Sequence, residues 1–280
     1  MTMPTLVAAD TLSAADLHAA TIAAFADYLV GPFQMTLEQF PSFIGRQGIA
    51  LACSRAAMQG GAIGAFAYVC PRPEVGRWRL GVMGALPSAR GTGAAPALLD
   101  DFVARARAEG LPHVELECFA ENERALRLYR SRGFEVVCGL NGWKPADAPA
   151  STHPPAGDVR EVERADAFTW LAEANRRIAW LPFPLTDRSL SAQPRPLTFW
   201  RCGSAQIAFS VVEGTPTQIH SLVDLDPAQR DAEVLARALG AARPDVFAPP
   251  ILRDDLGGDA LRRAGFAPHG MSQVLMQRRL

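Results

Sequence analysis

Arg90, Gly91, Thr92 and Gly93 stand directly ahead of an apolar-periodic helix, and that combination suits the binding of a pyrophosphate. A glycine lacks a Cβ, so its backbone adopts φ > 0 and approaches a ligand closely. Successive N–H groups in such a turn form an anion-binding concavity. The helix that follows adds unpaired N–H groups and the positive end of its dipole, and Arg90 supplies a cation beside them. Pro96 pins the helix start, because proline is tolerated in a first turn, where its missing N–H has no partner to lose. Two other glycine loops are excluded. No Lys-Ser or Lys-Thr follows, as a Walker A loop requires, and Pro96 stands where a dinucleotide fingerprint has Gly or Ala.

A second set lies about thirty residues on: Asn122, Ala125, Leu128-Tyr129 and Gly133-Phe134. With Arg90-Gly91-Thr92-Gly93-Ala94-Ala95, it resembles the two signature motifs of the GCN5-related N-acetyltransferases (GNAT), in the right order, across roughly residues 5–145. The resemblance implies an N-acetyltransferase that moves an acetyl group from acetyl-CoA directly to the amine of a small molecule or peptide. It implies a coenzyme A site at Ala85, Leu86, Arg90, Gly91, Thr92, Gly93, Ala94, Ala95, Asn122 and Tyr129. Backbone N–H groups near Ala85 would meet the acetyl carbonyl, although family members usually carry Val or Ile there. Tyr129 resembles the family's general acid for the thiolate. Asn122 reads equally as a ligand of the pantetheine arm and as a helix N-cap. The alternative is a non-catalytic acyl-CoA-binding or dimerisation module, which needs the glycine loop and no proton-transfer group.

The residues name a base less directly. Glu115 and Glu117 share one face of a strand over 113–119, since side chains two apart point the same way. Glu117, nearer the Tyr129 helix, is the expected proton acceptor, with an ordered water as the other possibility. Val114, Leu116 and Cys118 point into the core. For the amine acceptor, Tyr28 and Phe33 follow the first helix and are expected to line a cleft. His113-Val114-Glu115 has no P-C-x-x-C to complete a zinc deaminase motif, and His18, His153, His220 and His269 are isolated and read as structural, His220 least plainly. Five scattered cysteines without CxxC spacing suggest neither disulfides nor zinc, so no metal is expected.

Strands and helices must hold these groups in place. Apolar spacing predicts helices over 14–29, 36–43, 94–109 and 122–132 and strands over 5–9, 49–54, 62–69, 77–86 and 113–119. Pro149, Pro154 and Pro155 mark a stiff linker over 146–157. Beyond it the order of elements repeats, with Asp226-Pro227 echoing Leu86-Pro87 and Gly265-Phe266 echoing Gly133-Phe134. No glycine follows Pro227, Asp231 and Glu233 stand where amides would face a pyrophosphate, and Leu261 replaces Tyr129. The expected architecture is α/β (α+β): two tandem GNAT-like domains, each a mixed, mostly antiparallel twisted sheet flanked by helices. Residues 1–145 carry the acetyl-CoA site and 158–280 form a degenerate copy.

Composition sets the outer bounds. With 49% hydrophobic and 20% charged residues the chain reads as a globular protein, and a net charge of −1 gives no electrostatic footprint for nucleic acid. No run approaches the ~20 apolar residues of a membrane span. A cytoplasmic monomer or homodimer is the expectation.

Overall fold

The computed structural model describes residues 4–146 and 157–280, so most of the Pro-rich linker lies outside the described residues. In chain order the elements are β1 (Thr5–Ala8), α1 (Ala14–Ala24), α2 (Phe40–Arg46), β2 (Arg55–Gln59), β3 (Ala62–Arg72), β4 (Arg77–Ala85), α3 (Ala94–Ala108), β5 (His113–Phe119), α4 (Glu123–Ser131) and β6 (Glu135–Pro145). They continue with β7 (Arg160–Glu161), α5 (Arg164–Arg177), α6 (Asp187–Ser191), β8 (Thr198–Cys202), β9 (Ala205–Ser210), β10 (Thr217–Asp224), α7 (Arg230–Ala242), β11 (Val246–Leu252), α8 (Asp259–Arg263), β12 (Phe266–Pro268) and β13 (Gln273–Arg279).

Two compact units result, and they do not follow the halves of the chain. The first runs to Cys118 and adds Asn122–Glu135 and Met276–Leu280; the second holds Phe119–Glu121 and Val136–Leu275. In the first unit β1-β2-β3-β4 pair antiparallel and β4 pairs β5 in parallel. The chain's last residues complete this unit, with the Leu280 N–H donating to the Pro112 carbonyl at 2.9 Å. In the second unit β7-β8-β9-β10 pair antiparallel and β10 pairs β11 in parallel, and β6 pairs β11 and β12. Each unit therefore has a mixed, mostly antiparallel sheet flanked by helices, with one order and one sense of pairing used twice.

In the first unit, Leu98, Leu99, Phe102, Val103 and Ala106 form the buried stripe of α3. Phe102 stacks on Trp78 of β4 with ring centroids 6.3 Å apart. Each such large apolar side chain contributes about 1.5–3 kcal/mol by leaving water. The opposite face is closed by α1 and α2 through Leu17, Phe40 and Phe43, which share one core cluster with Phe66 of β3.

Two sequence expectations need correction. The strand expected over 49–54 is a 3-10 turn at Leu51–Cys53, and the strand proper is β2. Gly60 and Gly61 have φ of +57° and +84°, the tight hairpin turn that fixes Gln59 opposite Ala62. Also, α1 stops at Ala24 rather than Leu29. There Phe25 turns inward to Tyr28 (4.9 Å between ring centroids) and Phe66 (6.2 Å), and the Phe33 N–H donates to the Phe25 carbonyl at 3.1 Å. Ring packing overrides helical spacing there.

Candidate active site

The glycine loop begins where β4 ends. Leu86 donates its N–H to the Gly64 carbonyl at 2.9 Å, and the chain then makes a 3-10 turn at Pro87–Ala89. Thr92 folds back, its Oγ1 donating to the Ala89 carbonyl at 2.7 Å. Gly91 and Gly93 have φ of +81° and +90°, and a Cβ built on either would meet open space. Gly93 is the N-cap of α3 and supplies no side chain to its amides. The first bond to the loop runs from the Ala97 N–H to the Gly93 carbonyl. The N–H groups of Gly91, Gly93, Ala94 and Ala95 thus have no acceptor among the described residues. Four unpaired donors at a helix N-terminus, with open space over Gly91 and Gly93, fit a pyrophosphate.

Arg90 does something other than the sequence suggests. Its guanidinium grips both carboxylate oxygens of Asp27, while Nε and Nη2 donate to the carbonyls of Ala85 and Ala24, each at 3.3 Å. The Asp27 carboxyl is held below its usual range by that hydrogen bond. The expected free cation at the anion cradle is therefore corrected. Arg90 ties the end of α1 to the end of β4, and its charge is already met.

Beside the loop the sheet opens. The parallel pairing of β4 with β5 stops at Leu80↔Leu116 although both strands continue. The cause is a bulge: Tyr68 pairs Val82 while Val69 pairs Leu80, so Gly81 is an extra residue in β4. From Gly81 to Ala85, β4 has no register partner on β5. The isolated Gly81 inside a strand pattern is the signal that marks this bulge in the sequence.

Asn122 and Tyr129 are linked through Tyr28. Asn122 is the N-cap of α4, its Oδ1 accepting the Ala125 N–H at 3.1 Å. The Asn122 side chain also hydrogen-bonds the Tyr28 hydroxyl. Tyr129 is 7% exposed and packs on Phe134 with centroids 6.0 Å apart. Its phenol is pushed well above the usual range by burial first, then by Cys118 and Tyr28. Burial likewise raises Tyr28, and lifts the Cys118 thiol to about 12. Three protonated, uncharged groups gather there, two of which the sequence treated separately. Cys118 was not foreseen at the site, because β-alternation shows only that it points inward. Phe33 is half-buried and packs on Phe25 and Phe43, at the margin of the core.

The two glutamates of β5 are not on an open face, contrary to the sequence expectation. Glu115 is fully buried, with Oε1 2.5 Å from Arg72 Nη1 and Oε2 3.2 Å from Arg77 Nη1. The Glu117 side chain is 5% exposed, and its Oε2 accepts from Arg79 Nε at 2.6 Å. Its Oε1 is buried without a hydrogen-bond partner among the described residues. One acceptor position on Glu117 thus remains open.

The second unit fills the corresponding cradle with its own carboxylate. Its loop is shorter: three residues, Pro227–Gln229, precede α7, against seven, Pro87–Gly93, before α3. Asp224 accepts the Ala232 N–H on Oδ2 and the Asp226 N–H on Oδ1, both at 2.9 Å. Gln229 takes the left-handed position (φ +53°), its amide spanning Asp254 and Ala260. Asp231 and Glu233, expected to face the loop, are turned elsewhere. Asp231 bonds Ser204, and Glu233 pairs with Arg237 and Arg263. Leu261 is fully buried in that unit's core.

His220 of the same unit is 5% exposed, and its Nε2 lies 2.8 Å from Ser210 Oγ. Burial lowers its pKa to about 4, with Arg195 adding to the shift. The unfolded chain binds this proton near pH 6.5 and the folded chain only near 4, so stability is full above pH 6.5 and falls toward pH 4. Denaturant unfolding should show a loss of about 2 kcal/mol between pH 7 and pH 5 from this group. His220→Gln should remove that slope; an equal slope in the variant would assign it elsewhere.

The acetyltransferase (GNAT) family model matches residues 21–134. Among solved structures, a GCN5-related N-acetyltransferase from Sphaerobacter thermophilus is 18% identical with a TM-score of 0.64, over 98% of this chain and 95% of that one. Those from Kribbella flavida (16% identical, TM-score 0.61) and Anabaena variabilis (15%, 0.62) align with 99% and 98% of this chain and 71% and 72% of their own. A search of curated protein sequences gives no match.

Proposed function

Because residues 21–134 are a GNAT acetyltransferase domain and place this chain in the GNAT superfamily, we propose that it transfers an acetyl group from acetyl-CoA directly to the amine of a small molecule or peptide, at one site in the first unit. The observation that carries the reading is the cradle of four unpaired N–H groups at Gly91–Ala95 together with the uncharged Tyr129 pocket. Acetyl-CoA supplies an activated acyl group on a good leaving thiol. The chain's residues do the rest. The loop amides and the N-terminus of α3 hold the pyrophosphate. The unpaired edge of β4 up to Ala85 offers backbone groups to the pantetheine arm and the acetyl carbonyl, an electrostatic role that grows as charge develops on that oxygen. Tyr129, kept protonated by burial, holds a proton for the departing sulfur. Glu117, whose Oε1 is buried without a hydrogen-bond partner among the described residues, is the assigned acceptor of the amine's proton, reached through water. Arg90 keeps the loop at its distance from α1.

The second unit is then a copy without a cosubstrate site, since Asp224 already takes the Ala232 N–H of α7 and the Asp226 N–H of the loop, and a second anion beside it would be repelled. Calorimetric titration with acetyl-CoA should give one site per chain; two equivalent sites would overturn this assignment. Thiol release across an amine panel separates the enzyme from a non-catalytic acyl-CoA-binding module, which would bind and release nothing.

A further inference from the structure

The segment from Tyr28 to Leu37, YLVGPFQMTL, has no charged residue. Five large hydrophobics stand exposed among the described residues, and three fall in this short stretch: Leu29 at 49%, Val30 at 59% and Leu37 at 45%. The segment is fastened at several points. Gly31 donates its N–H to the Tyr28 carbonyl at 2.9 Å, Phe33 packs on Phe43, and His18 Nε2 lies 2.7 Å from the Met35 carbonyl. Its apolar side chains are therefore presented on a braced loop. The loop also joins the reaction centre, because Tyr28 at its start shares the Asn122 hydrogen bond and the Tyr129–Cys118 pocket.

No carboxylate lies within this segment. Asp27, on its N-terminal side, is gripped by Arg90. Glu117, the carboxylate assigned to the amine's proton, is paired with Arg79. Glu38, just past Leu37, is exposed and lies in the first turn of the next 3-10 helix. A second ammonium on the acceptor would have to shed water against Leu29 and Val30 without a counter-charge, which is costly. An aliphatic or aromatic substituent gains there instead.

Resting on the acetyltransferase reading above, we propose that the acceptor is a monoamine whose remaining substituent is apolar, seated on Leu29, Val30 and Leu37 beside Tyr28. Polyamines and amino sugars are disfavoured by the same surface. Each methylene buried contributes about 0.8 kcal/mol, roughly fourfold in affinity.

The test uses the full chain with saturating acetyl-CoA and follows thiol release from butylamine, hexylamine, octylamine, phenethylamine, spermidine and an aminoglycoside. kcat/KM should climb severalfold at each step of the alkyl series, with spermidine and the aminoglycoside at or below butylamine. A flat alkyl series, or spermidine tenfold better than hexylamine, overturns the inference and leaves the acetyltransferase reading standing. No release from any amine removes that reading and this inference with it. Val30→Asp and Leu29→Asp, both at exposed positions, should raise KM for hexylamine about tenfold while calorimetry shows acetyl-CoA affinity unchanged. An unchanged KM accompanied by loss of self-association in sedimentation would make the patch a contact between copies of this chain, and overturn the proposal.

Discussion

Gly93→Asp should leave no measurable heat when the protein is titrated with acetyl-CoA, a loss of at least about a hundredfold in affinity. Two effects act together. Gly93 sits at φ +90°, where an L side chain is strained, and the new carboxylate would stand among the N–H groups that face the pyrophosphate. Two like charges about 4 Å apart cost about 4 kcal/mol near a protein surface, enough by itself for that loss. Gly93→Asn separates the two, because asparagine tolerates the left-handed region and carries no charge. It should retain most of the affinity, with a melting temperature close to that of Gly93→Asp. Equal loss in both variants would make backbone strain, and not charge at an anion site, the explanation. The cradle assignment would then fall.

The second large effect concerns Tyr129. Tyr129→Phe should lower kcat by about 10²- to 10⁴-fold, the usual worth of a positioned acid. Stability should change little, since the ring still packs on Phe134 and the hydroxyl has no hydrogen-bond partner among the described residues to lose. Acetyl-CoA affinity should also hold, because the loop amides are untouched. The pH profile gives an independent check. Burial raises the phenol's pKa, so Tyr129 keeps its proton throughout the ordinary range. Any alkaline decline in kcat below about pH 10 must then belong to another group, and it should persist unchanged in shape in the residual activity of Tyr129→Phe. A variant with undiminished kcat would return Tyr129 to a packing role.

Features whose physics is local are legible in the sequence. Gly91 and Gly93 need only their own backbone freedom and the helix behind them. Asn122 caps α4 from three residues away, and Gly133 and Gly265 take positive φ just past their helices, as the spacing of each helix requires. The alternation of strands and helices in both halves follows from the same short-range periodicities, and the two units do share one order of pairing. Partners brought from far along the chain are set by the fold. Asp27 neutralises Arg90 across 63 residues, and Arg79 takes Glu117 across 38. Tyr28 reaches Asn122 and the Tyr129 pocket because α1 stops early, which no helical spacing reveals. Asp224 fills the second cradle because the shortened loop brings the Ala232 N–H of α7 to the end of β10. Likewise Met276–Leu280 belong to the first unit and residues 136–145 to the second, although a division at the Pro-rich linker over 146–157 would assign each to the other. A strand's hydrophobic pattern fixes which face is buried and leaves open which edge it joins, because its backbone hydrogen bonds are the same in every sheet. A charged side chain, in the same way, is specified in sequence as polar and in space by whichever opposite charge the fold delivers to it.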